Sequence, residues 1–295
     1  MRVRIVLTSV LLAATMVSSS CANKVHDNPQ GKGTQGESAA ETVFTLDVSP
    51  PVVPKEITRY RIVQPDVTVD YVADLGARLE LAGQAALAEP GIIIMSRPEE
   101  SEVLRVYAKS GAMEYTRLNS LFPESPDLPN DDKAVEISTG FLQRTGLWSS
   151  DMEPKEVVVG GTAGGKPSHL LVRFARKVDG IPLSGPGNKL GVRIGDDGEV
   201  IQAMIHHPEF VPYQQDQCIS PAMAFDRLVA GNTLLSPSPY VGRRVVIKSI
   251  AMVYYLESVT ERQEYLKPAY LFSGDSLDAS GRYLGAFQSW VEAVE

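Results

Sequence analysis

Cysteine is nearly absent from this chain, with Cys21 and Cys218 the only two. Once Cys21 is acylated no internal disulfide is available, so stability has to come from packing. A basic face is missing too. The formal net charge of −8 favours solubility and excludes the phosphate contacts of nucleic-acid binding. The apolar run from Ile5 to Val17 is about 13 residues, short of the roughly 20 that a spanning helix needs. Only four histidines are present, His26, His169, His206 and His207, which leaves few general bases. Neither H-E-x-x-H nor G-x-S-x-G occurs, so the signatures of zinc proteases and serine hydrolases are excluded.

The N-terminus is informative. Arg2 and Arg4 precede the apolar run, and Ser18, Ser19 and Ser20 lead directly to Cys21. That layout predicts a secretory signal peptide over residues 1–20. It resembles bacterial lipoprotein signals, although Ser18 stands where those signals usually carry Leu. The resemblance implies lipid attachment at Cys21, hence export and anchoring on the extracytoplasmic side of a membrane. Residues 21–50 are rich in Gly, Ser, Gln, Asn and charge, and read as a flexible tether. About 245 residues remain, enough for one large domain or two small ones.

Along that body, helix signals are followed by strand signals about three times. Val72, Leu75 and Leu79 recur at helical spacing between Asp66 and Ala82, with strands expected at 91–97 and 102–117. Asn130 or Asp131 opens a second helix carrying Ala134, Ile137 and Phe141 and ending near Gly146. In His169–Val178, Leu170, Val172 and Phe174 alternate with polar neighbours, the period of two expected of a sheet with one buried face. Gly195-Asp196-Asp197-Gly198 marks a hairpin between strands at 189–194 and 199–207. Ser220 and Pro221 start a third helix that Gly231 ends, and strands follow at 244–256, 265–272 and 283–294. The expected fold is α+β, with repeated helix plus antiparallel meander units over 51–125, 126–215 and 216–295.

The stretch Val172-Arg173-Phe174, then Asp179-Gly180-Ile181-Pro182-Leu183-Ser184-Gly185, then Val192-Arg193-Ile194 and Asp197-Gly198-Glu199 resembles PepSY-like and propeptide-type (cystatin-like) modules. The reading of these residues is structural: Asp179-Gly180 makes a turn, Pro182 limits edge pairing, and Gly185 and Gly187 let the chain reverse. Tyr265-Leu266-Lys267-Pro268-Ala269-Tyr270-Leu271-Phe272-Ser273-Gly274 is similar to the ending of extracytoplasmic regulators of the YycH/YycI kind. That similarity implies strings of PepSY-like units in a non-catalytic role. Their kinase partner does not carry over to a chain anchored by a lipid instead of a helix.

Chemical motifs find simpler explanations. Gly160–Lys166 spells most of a phosphate loop, but Pro167 replaces the magnesium-binding Ser or Thr. His206 and His207 are adjacent, and neighbours on a strand point to opposite faces, so they are a poor chelating pair. Cys218 lacks a cysteine-enzyme signature and reads as a small buried thiol. Glu99-Glu100 and Asp131-Asp132 read as solvated carboxylates at a loop and a helix start. No catalytic residue, metal or cofactor is therefore expected. The favoured function is a non-catalytic envelope protein whose sheet edges bind a protein or peptide. An inhibitor or folding assistant of an exported hydrolase, and an enzyme with an unrecognised site, are the alternatives.

Overall fold

Alternating apolar residues dominate the secondary structure. The computed structural model describes residues 42–97, 101–121, 123, 126–161, 167–235 and 244–295. The leader, Cys21 and the tether as far as residue 41 lie outside the described residues. In chain order the elements are β1 (Val43–Leu46), β2 (Glu56–Val63), α1 (Val69–Arg78), β3 (Ala85–Glu89), β4 (Ile92–Arg97), β5 (Glu102–Tyr107), β6 (Met113–Arg117), α2 (Asp131–Arg144), β7 (Met152–Gly160), β8 (His169–Val178), β9 (Ile181–Ser184), β10 (Leu190–Ile194), β11 (Val200–Ile205), β12 (Glu209–Gln217), α3 (Pro221–Val229), β13 (Arg244–Tyr255), β14 (Tyr265–Leu277) and β15 (Tyr283–Glu292).

The three helices start where side chains satisfy their first amides. Thr68 accepts from the Tyr71 amide at 3.1 Å, Asn130 from Lys133 at 2.9 Å and Ser220 from Met223 at 3.2 Å. Gly231, at φ 78°, follows the end of α3. Each helix turns an apolar stripe to a sheet. Val72 and Leu75 of α1, and Ala134, Phe141 and Leu142 of α2, enter the same core as Leu104, Val106, Tyr115, Val172, Phe174, Val192 and Ala203.

That shared core explains the sheet order β3-β4-β5-β6-β11-β10-β8-β7, antiparallel throughout. The β6 and β11 strands pair, Met113 with Ile205 and Tyr115 with Ala203, so the strands following α1 and those following α2 lie side by side. A second group runs β1-β13-β14-β15, with β1 parallel to β13 and α3 on one face. Next to β14, β2 pairs through Tyr60 and Arg61, and β12 lies outside β2. A short parallel pairing of β9 with β13 joins the two groups, Leu183 with Tyr254 and Ser184 with Tyr255. Residues 41–295 form one unit.

The expected α+β repeat of helix plus antiparallel meander units is overturned. Among the described residues, fifteen strands and three α-helices build one large mixed sheet, including parallel pairs that no meander contains. The physical reason is that a period of two records which residues share a face and says nothing about which strand lies alongside. Edge groups of β6 and β11 satisfy each other, and the apolar faces that would have closed separate cores merge.

Candidate interaction surface

Of the motif residues singled out in the sequence, the segment from Asp179 to Gly185 lies where the two strand groups meet. Phe174 is 4% exposed and meets Trp148 edge to face at 6.0 Å, so it is a core residue. Asp179 (φ 51°) and Gly180 (φ 78°) form the two-residue turn between β8 and β9, the double positive φ of a tight hairpin. The Tyr60 hydroxyl of β2 donates to the Asp179 carboxylate, and burial with this carboxylate pushes the phenol up to about 12. Pro182 sits in β9 opposite Lys177. Gly185 has φ 102°, and a Cβ there would collide with the Leu256 carbonyl; a Cβ on Gly187 would collide with that of Glu257. These glycines therefore allow two backbones to touch as well as letting the chain reverse. The Leu256 amide donates to Ser184 at 2.8 Å, and the Gly187 amide to Leu256 at 3.1 Å.

Among the described residues, the remaining sequence candidates do not converge on one another. His206 is buried, its Nδ1 donating to the Gly187 carbonyl at 2.7 Å, while His207 reaches Asp151 at 3.4 Å; the two rings thus have separate surroundings. Burial holds both imidazoles below the ordinary histidine range, and burial with Arg193 lowers His169 to about 4. The Cys218 thiol is raised by burial and by Asp216, the opposite of what an activated nucleophile needs. Asp131 and Asp132 stand in the first turn of α2, where the helix dipole favours carboxylates. Of the glycine-rich stretch, residues 162–166 lie outside the described residues, as do Glu99 and Glu100. Among the described residues, no group of three or more His, Cys, Asp or Glu could hold a metal ion.

One residue that the alternation hid is Arg176. It occupies the position after Leu170, Val172 and Phe174 in the inward phase of β8, and its side chain is only 4% exposed. Asp151 accepts from its Nε at 2.8 Å, the Pro208 carbonyl accepts from it at 3.2 Å, and its guanidinium lies 5.0 Å from the Phe210 ring centre. An arginine in phase with three core residues was the available signal.

The surface best suited to a partner is a strand edge. Unpaired edges invite another chain, and proteins protect them with charge, proline or bulges. The β7 edge carries Glu153, Pro154, Lys155 and Glu156. On β12 stand Pro212 and a bulge, while β3 and β1 are only five and four residues long. The β15 strand carries a bulge at its start but differs in charge and proline. From Tyr283 to Val291 it has neither charge nor proline, and among the described residues its named strand partner is β14 alone. Its distal end is partly closed, since the Leu234 amide donates to the Trp290 carbonyl at 2.8 Å. The proximal end exposes Tyr283 (58%) and Leu284 (44%), with Ala286 and Gln288 exposed beyond them. A shift in register at Leu277 leaves Leu284 as a bulge, and Gly285 to Gln288 continue as regular strand.

A crevice of about 230 Å³ opens beside β14, but its charges are of both signs, and Lys267 binds Glu257 at 2.5 Å. Among the described residues no helix is long and apolar enough to cross a membrane.

No protein-family model matches the chain, and no curated protein matches it either. Among solved structures it is similar to an uncharacterized protein from Eubacterium rectale, with a TM-score of 0.48 and 10% identity over 84% of this chain and 87% of that one.

Proposed function

We propose that this is a non-catalytic lipoprotein of the cell envelope that binds a protein or peptide partner by adding the partner's extended segment to β15. The observation that carries the reading is the run Tyr283–Gln288, an uncharged edge without proline that exposes Tyr283 and Leu284. Strand addition draws affinity from main-chain hydrogen bonds and selectivity from alternate side chains. The favoured partner segment is therefore extended, with an apolar residue for the Tyr283–Leu284 end. Export and anchoring are supported by the leader's layout and its resemblance to lipoprotein signals, with Cys21 as the attachment point. The tether would let the body stand off the membrane and meet a neighbour.

The test is photo-crosslinking from position 288 in intact envelope, in the natural background and with Ala286→Lys. A crosslinked species that disappears with Ala286→Lys, while Val159→Lys on β7 leaves it in place, is the expected result. A crosslink indifferent to Ala286→Lys, or none at all, would refute β15 as the docking edge.

A further inference from the structure

His206 stands at the junction of the two strand groups, a position that the partner-binding reading does not use. Three elements close around its ring. Gly187, in the β9–β10 loop, accepts from Nδ1 at 2.7 Å, and the His206 amide donates to the Lys189 carbonyl at 2.7 Å. Ser110, in the β5–β6 turn, presents its backbone to the ring. Arg176 approaches from β8. Two of these elements also reach towards the C-terminal group. Gly187 is bonded to Leu256, and the Ser110 hydroxyl donates to the Val259 carbonyl at 2.6 Å. Tyr107, Ala112 and Val259 complete a small apolar plug beside it.

The residue is 5% exposed, and Nε2 makes no hydrogen bond of good geometry. Among the described residues, the charged or titratable groups set against the ring are Arg176, His207 and, through both of them, Asp151. The full positive charge set against the ring is thus a buried guanidinium, of the sign that imidazolium would carry.

We propose that this junction is an acid-opened joint: protonation of His206 loosens the contact between the two strand groups while each group keeps its own core. The Gly187 and Ser110 carbonyls favour a charged ring, but burial outweighs them, and Arg176 and His207 add to the opposition. The closed joint therefore refuses a proton that an open, hydrated histidine takes up below about pH 6.5. Opening coupled to the uptake of one proton becomes about tenfold more favourable for each pH unit below that point, until the closed form itself titrates. At pH 5.5 the Arg176–Asp151 pair still holds, because Asp151 is kept below the ordinary carboxylate range. The effect at that pH is accordingly assigned to imidazole.

Amide exchange in the full chain, corrected for intrinsic rates, tests this at pH 7.5 and 5.5. Protection at the Gly187 and Leu256 amides should fall by about tenfold between the two, with that at Val192 and Ala203 unchanged. His206→Asn keeps a donor near the Nδ1 position and should abolish the fall. An equal fall in the variant, or none in the natural protein, overturns the proposal. Should the variant fail to fold, NMR titration of the His206 ring in the natural protein decides. A midpoint clearly below about 6.5 supports the joint, and one at or above it refutes it.

Discussion

At the scale of single residues, the inward phase of β8 sets the most direct test. Phe174 is buried against Trp148, and its replacement by alanine removes a ring and leaves a cavity. Phe174→Ala is therefore expected to cost about 3–5 kcal/mol on urea unfolding. A loss under about 1 kcal/mol would mean that the ring is not in the core. Phe174 was legible because Val172 and Leu170, two and four residues before it, are also apolar. Arg176 shares that phase, and its burial was not legible, since alternation marks orientation and cannot by itself reveal that Asp151 waits to neutralise a charge. Tyr60 was illegible for a related reason: its partner, Asp179, is 119 residues away.

At the scale of elements, legibility followed burial and capping. The α2 and α3 helices start at the caps expected of them, and the hairpin at Asp197-Gly198 carries the positive φ angles that its turn demands. The β12 strand had no pattern to find. Its residues are exposed or half-buried on both faces, and its shape is imposed by pairing with β2. The glycines of the β8–β9 turn and of the β9–β10 loop invite a comparison. Gly180 has open space around it and a positive φ, so Gly180→Ala should cost only about 1 kcal/mol. Gly187→Ala drives a methyl into the Glu257 backbone and should cost at least about 2 kcal/mol, read from urea midpoints. Equal costs would mean that this loop does not press against the end of β13.

At the scale of the whole molecule, the local patterns underdetermined the architecture. Helix-then-strands was readable three times over, yet the joining of β6 to β11 and of β9 to β13 depends on edges that meet only after collapse. The two tryptophans separate the groups: Trp148 packs in the helix-covered core and Trp290 beside Tyr255. Because residues 41–295 form one unit, Trp148→Phe and Trp290→Phe should show coincident fluorescence and far-ultraviolet transitions in urea at pH 7.5. Separated midpoints would show that the two strand groups unfold independently.

The short first strand has a mechanical consequence. Because β1 holds to the rest through four residue pairs along β13, from Val43 with Arg244 to Leu46 with Ile247, a pull transmitted from the N-terminal side enters at those pairs. The body would meet such traction at one margin, where a brief peeling event can spare the interior.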